Sequence, residues 1–411
     1  MTNNILHAHT VKLFHPTKNI NTAISLPSSK SESNRVLIIN ALCEQPCELS
    51  NISEARDTQT MLKLLASTDL MLNVIDAGTT MRFLTAYCTV KNRETILTGS
   101  ERMCERPIGL LVEALRELGA TIDYINKEGY PPIHIKDFKP TKNKLHIRGD
   151  ISSQYISALL MVAPYLPKGL ELALLGKIGS LPYIQMTLNL MEKFGVKHEW
   201  KENEIHIAPQ KYHVGSYAVE SDWSASSYWY SIVSLANNAE IKLLGLKKDS
   251  LQGDSEIVQI MEKLGVSTVF ENDGVLLRKM PTEKTFEWDF THCPDLAQTI
   301  AVIGAAKGVE MKMTGLESLK IKETDRLVAV RDELAKFGIK ATDINDAELH
   351  IPAGQMQAPT EMVKTYKDHR MAMAFAPLAL LFEVEIEKPE VVEKSYPRFW
   401  EDLQKGGFQI R

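Results

Sequence analysis

Glu113-Ala-Leu-Arg-Glu-Leu-Gly119, Leu190-Met-Glu-Lys-Phe-Gly195, Ile260-Met-Glu-Lys-Leu-Gly265 and Glu333-Leu-Ala-Lys-Phe-Gly338 are four endings of one kind in a chain of 411 residues. Each reads as the last turns of an amphipathic helix closed by glycine, which takes the left-handed backbone beyond a helix C-terminus without a Cβ clash. Strand-like residues follow. Ala120-Thr-Ile-Asp-Tyr-Ile and Pro132-Ile-His-Ile flank Lys127-Glu-Gly129, and Lys197-His-Glu-Trp-Lys and Ile205-His-Ile flank Glu202-Asn-Glu. Thr268-Val-Phe and Val275-Leu-Leu flank Glu271-Asn-Asp-Gly274 in the same way, so three hairpins are expected. The four glycines stand 76, 70 and 73 residues apart. That exceeds the ~20–50 residues of common solenoid repeats and suits a unit of several strands and two helices. The chain has room for between five and six such units, which makes it an α/β protein built by repetition. No Pro-rich, Gly/Ser-rich or highly charged linker interrupts it, and counting repeats puts a domain boundary near Glu220.

Composition narrows the function. With 44% hydrophobic and 24% charged residues the chain has the balance of a soluble globular protein. A net charge of −5 gives no overall basic field to hold nucleic acid or an anionic membrane. The longest apolar run, Met371 to Phe382, is broken by Pro377 and is shorter than the ~18–20 residues of a membrane helix. Met1 to Asn19 is polar, without the apolar stretch of a secretory signal. The five cysteines are scattered, and Cys43 and Cys47 lack a second pair to complete a zinc site. A cytoplasmic, reducing location is expected. The chain contains no G-x-x-x-x-G-K-[ST], G-x-G-x-x-G or H-E-x-x-H, and His7, His9 and His15 read as part of a polar N-terminal stretch. Cofactor-free chemistry on a phosphorylated substrate remains.

Small hydroxyl or glycine clusters stand where helices should begin. They are Ser28-Ser-Lys30-Ser31-Glu-Ser33-Asn-Arg35, Asp76-Ala-Gly78-Thr79-Thr80-Met-Arg82, Gly149-Asp-Ile-Ser152-Ser153-Gln154, Gly179-Ser180-Leu-Pro-Tyr183 and Ser221-Asp222-Trp-Ser224-Ala-Ser226. Each can cap a helix. Several such starts gathered together would also offer free N–H groups and positive dipole ends to a polyanion. Lys30, Arg35, Arg82, Arg106, Lys322, Arg326, Arg370 and Lys394 sit at or beside presumed helix starts and turns, where Arg can grip carboxylate and phosphate in two-point contacts. Acids come from the second half: Pro294-Asp295, Lys322-Glu323-Thr324-Asp325-Arg326 and Tyr366-Lys-Asp368-His369-Arg370 each open a helix. A carboxylate among cations stays ionised and can serve as a base, and a partly desolvated Glu can hold a proton. Asp325 reads as a cap.

These motifs together closely resemble the 5-enolpyruvylshikimate-3-phosphate synthases, from about Ile24 to near Trp400 and in that family's order. Ser-Lys-Ser-x-Ser-Asn-Arg at 29–35, Ala-Gly-Thr-Thr-Met-Arg at 77–82, Arg-Met-x-Glu-Arg-Pro-Ile at 102–108 and Ser-Ser-Gln at 152–154 carry the likeness. So do Ser-x-Pro-Tyr at 180–183, Pro-Asp at 294–295, Lys-Glu-Thr-Asp-Arg at 322–326 and Asp-His-Arg-Met-Ala-Met at 368–373. The resemblance implies two similar domains, each of three βαβαββ units in the inside-out α/β barrel of the enolpyruvyl transferases. Here they would be 28–219, and 1–27 plus 220–411, with the active site in the cleft between them. It implies transfer of the enolpyruvyl group of phosphoenolpyruvate to the 5-hydroxyl of shikimate 3-phosphate with release of phosphate, a step of the shikimate pathway toward chorismate and the aromatic amino acids. No cofactor, metal, nucleic acid or membrane partner is implied, and a monomer is expected.

By motif position, the resemblance implies that shikimate 3-phosphate meets Lys30, Ser31, Arg35, Ser152, Ser153, Gln154, Ser180, Tyr183, Asp295, Ser318 and Lys322. Phosphoenolpyruvate would meet Lys30, Gly78, Arg106, Gln154, Arg326, Arg370 and Lys394. Asp295 would take the hydroxyl proton, while Glu323 or Lys30 would deliver one to the phosphoenolpyruvate carbon. Four departures stand out: Asp76 for a frequent Asn, Phe83 for a common Pro, Ser318 for an Asn that contacts the shikimate moiety, and Trp223, which reads as lengthening a turn. An ionised Asp76 should weaken anion binding. Two alternatives are a UDP-N-acetylglucosamine enolpyruvyl transferase, whose family carries a reactive Cys near the position of Cys104, and a non-catalytic binder of anionic metabolites.

Overall fold

The protein is described by a computed structural model covering residues 5–6, 8–150, 152–213 and 215–411. It divides into two compact units, Met1–Ser28 with Glu220–Arg411, and Ser29–Val219. His7 lies outside the described residues.

Among the described residues four βαβαββ repeats are complete, two in each unit, and all four share one sheet topology. In the Ser29–Val219 unit, strand Met71–Asn73 runs parallel to Thr95–Thr98, which pairs antiparallel with Ile133–Phe138, itself antiparallel to Ala120–Tyr124. Lys144–Arg148, Leu170–Leu175, Glu204–Ile207 and Glu199–Lys201 repeat this order. In the other unit the same order appears in Asn19–Ser25, Asn238–Leu244, Gly274–Lys279 and Val266–Glu271, and again in Thr285–Asp289, Glu310–Thr314, Glu348–Ile351 and Thr342–Ile344. Each unit also has a smaller sheet. One joins Glu48–Ser50 to Ser216–Ala218, and the other sets Thr10–Phe14 between Val384–Glu387 and Gln409–Ile410.

The first helix of each complete repeat is buried on nearly every side. Gly78–Val90, Ser153–Val162, Trp223–Leu235 and Ala297–Ala306 hold one charged side chain among them, Arg82, so no polar face needs water. Helix Gly78–Val90 packs on Ser153–Val162, and Ala297–Ala306 packs on Trp223–Leu235 and His369–Phe375. The second helices, such as Gly109–Leu118 and Arg326–Ala335, have an apolar stripe and a wet face. Helices therefore fill each unit's core, with the sheets outside them. At the end of each second helix the glycine is left-handed, with φ of 114° at Gly119, 84° at Gly195, 93° at Gly265 and 81° at Gly338.

Two sequence readings change. Trp223 does not lengthen a turn: Asp222 caps helix Trp223–Leu235 by accepting from Ala225 N–H, and Trp223 is that helix's buried first residue. Its indole donates to Glu220 Oε1 at 2.9 Å and its backbone N–H to Gln252 Oε1 at 3.0 Å. His15 does not belong to a loose polar start. It is buried, with Nε2 3.0 Å from Gly406 O and Nδ1 accepting from Lys18 N–H at 2.9 Å. Among the described residues no group of three or more His, Cys, Asp or Glu is arranged to hold a metal, and no helix is long and apolar enough to cross a membrane.

Candidate active site

In the Ser29–Val219 unit the predicted residues gather on helix starts. Ser29 caps helix Lys30–Leu42 by accepting from Glu32 N–H, which leaves Lys30 and Ser31 half-buried on the first turn. Lys30 Nζ lies 3.3 Å from Asp57 Oδ2. Ser152 caps helix Ser153–Val162, whose Gln154 donates from Nε2 to Thr79 Oγ1 at 3.0 Å. Helix Gly78–Val90 differs, because its N-cap residue is Ala77 and no side chain satisfies its first N–H groups. The Arg106 guanidinium lies over this open end: a Cβ built on Gly78 would come within 2.7 Å of Arg106 Nη1. Arg106 Nε is buried without a partner among the described residues. An uncapped helix N-terminus under a guanidinium is an anion site.

Two arginines serve the framework instead. Arg35 is 2% exposed and donates to Thr187 Oγ1, Ser31 O, Ser157 Oγ and Tyr183 O, at 2.8, 2.9, 3.1 and 3.4 Å. Its guanidinium lies over the Phe83 ring, 5.4 Å from the centroid, which gives Phe83 a packing role. Burial lowers Arg35 to about 10, still charged at neutral pH. To reach a ligand, Arg35 must share or give up one of these bonds. Arg82 ties helix Gly78–Val90 to the Arg106 segment, donating to Gly78 O at 3.1 Å and Pro107 O at 3.0 Å. Ser180 precedes helix Leu181–Lys193 at φ 50° without capping it, and half-buried Tyr183 follows on the first turn.

The other unit holds a dense knot of charge. Arg326, 2% exposed, reaches Asp368 Oδ2 at 2.7 Å, Glu323 Oε2 at 2.9 Å and Asp295 Oδ1 at 3.1 Å. Arg370 binds Asp295 twice, at Oδ2 (2.9 Å) and at the backbone O (3.0 Å). Lys322 Nζ stands 3.8 Å from Asp295 Oδ1, and buried Lys394 stands 3.4 Å from Glu323 Oε1. The knot is assembled by local capping: Asp325 caps Arg326–Ala335, and Asp368 caps His369–Phe375 with Oδ1 while holding Arg326 with Oδ2. Burial pushes the Asp295 carboxyl up, but Arg370, Lys322 and Arg326 outweigh it and hold it well below the usual carboxylate range. Arg326 is desolvated too, yet Asp368, Glu323 and Asp295 keep it more firmly charged than usual. Buried ions of both signs, held by side chains from separate elements, form a preorganised polar site. Ser318 lies nearby in sequence, half-buried in the turn Glu317–Ile321.

The model of the family described as EPSP synthase (3-phosphoshikimate 1-carboxyvinyltransferase) matches residues 14–67 and 65–403. The chain belongs to the EPSP synthase family. It is 47% identical to a 3-phosphoshikimate 1-carboxyvinyltransferase of Bacteroides fragilis over 95% of this chain and 97% of that one. A protein of the same description from Photobacterium profundum is 35% identical over 94% of this chain and 97% of its own. The fold is similar to that of an Acinetobacter baumannii EPSP synthase structure, with TM-score 0.78 at 18% identity, covering 98% of this chain and 100% of that one. The two-domain enolpyruvyl transferase architecture is thus the fold of this EPSP synthase relative.

Several functional neighbours escaped the sequence reading. Asp57, beside Lys30, and Arg56, beside Asp76, open helix Arg56–Ala66 with no motif around them. Asp254 is 3% exposed and takes a short hydrogen bond from Ser224 Oγ, which also accepts from Arg370 Nη2 at 3.4 Å. Burial, the Asp295 charge and Asp222 push Asp254 up to about 7, against Arg370 and Ser224. No sequence signal marked it: Leu251 precedes the Gln252-Gly-Asp254 turn, but Ser255 and Glu256 follow it.

Proposed function

We propose that this chain transfers the enolpyruvyl group of phosphoenolpyruvate to the 5-hydroxyl of shikimate 3-phosphate. The observation that carries the residue assignments is the ionised Asp295 among Arg326, Arg370 and Lys322, with Glu323 held by the same Arg326. In this reading Asp295 accepts the proton of the 5-hydroxyl as its oxygen bonds to C2 of phosphoenolpyruvate. Glu323 or Lys30 protonates the methylene carbon, giving a tetrahedral intermediate with a methyl group. The C2–O bond to phosphate then breaks, and loss of a methyl proton restores the double bond. Phosphate and the enolpyruvyl ether are the products.

The cations explain both binding and timing. In the free protein they depress Asp295, leaving it ionised but weakly basic. A phosphate and a carboxylate on Arg326, Arg370 and Lys394 would draw that positive field away and make Asp295 a better base once both substrates are bound. Lys30, Gly78, Arg106 and Gln154 supply the anion-binding residues of the other unit, while Ser31, Ser152, Ser153, Ser180, Tyr183, Ser318 and Lys322 are assigned to shikimate 3-phosphate, with Arg35 supporting them from beneath. A cytoplasmic, monomeric enzyme completes the reading. The test is phosphate release from phosphoenolpyruvate with shikimate 3-phosphate or UDP-N-acetylglucosamine as acceptor. Release with shikimate 3-phosphate alone is expected, and Asp295→Asn should lower kcat about 10²–10⁴-fold. Release only with the sugar nucleotide, or undiminished kcat in the variant, would overturn the acceptor or the base.

A further inference from the structure

The uncapped start of helix Gly78–Val90 carries an anomaly: the residue two places before it is an acid. Asp76 sits just outside the N-cap Ala77. A carboxylate there is well placed to fold onto the free N–H groups of Gly78 and Thr79, or to reach the guanidinium above them. Either would put the protein's own anion where a ligand anion should bind. The structure shows a different arrangement. Arg56, on the first turn of helix Arg56–Ala66, holds Asp76 by two contacts from Nη2, 3.2 Å to Oδ1 and 3.1 Å to Oδ2.

We infer that Arg56 is a positioning residue for the phosphoenolpyruvate site: it draws the Asp76 carboxylate aside, neutralises it, and so keeps the N-terminus of Gly78–Val90 and Arg106 open to the ligand. The inference rests on the assignment of that helix end to phosphoenolpyruvate. Three features converge on it. Helix Gly78–Val90 has no side-chain cap although an acid lies next to the capping position. Arg106 keeps a buried Nε without a partner among the described residues, while its terminal nitrogens lie against Gly78. The neighbouring cation is likewise matched by its own acid, Lys30 with Asp57 at 3.3 Å, and Asp57 follows Arg56 in the chain. Lys30 and Arg56 thus each face an acid beside this helix end, while Arg106 Nε has no partner among the described residues.

The pair is partly exposed, with 38% of the Arg56 side chain and 29% of Asp76 in contact with solvent, so its own contribution to stability is small. Its effect is on a charge adjacent to a binding site. Losing Arg56 removes the positive charge that holds the Asp76 carboxylate beside this helix end. This raises KM for phosphoenolpyruvate by about tenfold, the scale of one near like charge in a partly screened site.

The experiment uses the full chain as wild type, Arg56→Ala, Asp76→Asn and the double variant. Steady-state KM and kcat are measured, with the Kd of phosphoenolpyruvate from titration calorimetry. Arg56→Ala is expected to raise KM and Kd for phosphoenolpyruvate about tenfold, with kcat and the KM for shikimate 3-phosphate within about twofold. Asp76→Asn in the same chain should return both constants to near wild type, because Asn carries no charge to compensate. Unchanged constants in Arg56→Ala would overturn the inference. So would a loss that Asp76→Asn fails to relieve, since Arg56 would then touch the ligand or support the fold. A wild type that binds phosphoenolpyruvate without turnover removes the proposed reaction and leaves the Kd series to decide this inference.

Discussion

Asp254 shows how a residue without a motif shapes the site. It is buried, its Oδ2 takes the Ser224 hydroxyl, and its Oδ1 has no partner among the described residues. Asp295, Asp222, Arg370 and Cys293 bear on it electrostatically, and it is raised to about 7 rather than the usual ~4. The sign follows from proton counts. Between about pH 4 and 7 the folded protein holds a proton at Asp254 that the unfolded chain has released. Stability is therefore present at low pH and lost as pH rises through 7. Asp254→Asn keeps the shape and removes that titration. The variant is expected to exceed wild type in melting temperature by a wider margin at pH 8.5 than at pH 5.5, as thermal melts would show. A constant difference across that range would mean Asp254 is not a buried neutral acid. Many residues of the site were legible as charges at helix starts. Their partners were not, because Arg326–Asp368, Lys30–Asp57 and Arg370–Ser224 join positions 42, 27 and 146 apart, and no local pattern encodes such pairings.

At the scale of elements, the repeat was readable because each second helix ends on a glycine whose backbone is left-handed, a demand that L side chains meet badly. The four glycines are not equivalent. A Cβ on Gly119 would stand 2.0 Å from Lys139 O, whereas one on Gly338 would meet nothing nearer than the Gln357 side chain at 3.5 Å. Gly338→Ala should cost about 1 kcal/mol, the left-handed penalty alone. Gly119→Ala should cost clearly more, because backbone must move, and denaturant melts compare the two directly. Equal losses would contradict the cap geometry. The hairpin after Gly338 went unread although its second strand, Glu348–Ile351, alternates polar and apolar residues as Glu204–Ile207 does. Gly78 tests the other end of a helix. An added methyl would meet the Arg106 guanidinium at 2.7 Å, and the flexible arginine can swing away. Gly78→Ala is therefore expected to leave the melting temperature within about 2 °C of wild type while raising the KM for phosphoenolpyruvate severalfold. An unchanged KM would remove Gly78 from the anion site.

At the scale of the whole molecule, a chain of net charge −5 buries cations in both units, Arg35 and Arg82 in one and Arg326, Arg370 and Lys394 in the other, together with acids such as Asp57 and Asp368. Lys394 is 1% exposed, Arg326 2% and Arg370 6%, and each faces a carboxylate rather than water. Such an arrangement has a use when anionic substrates exchange with the internal acids, and EPSP synthase chemistry supplies two of them. In the proposed reaction an added proton and a lost phosphate convert phosphoenolpyruvate into an enolpyruvyl ether of shikimate 3-phosphate. The most direct measurement runs the reaction in D2O and follows shikimate 3-phosphate and its product by mass spectrometry and NMR, beside phosphate release. One enolpyruvyl ether per phosphate released is expected, with deuterium in its vinyl carbon, because the methylene passes through a methyl group. Phosphate released without the ether, or an ether whose vinyl carbon never takes deuterium, would contradict it.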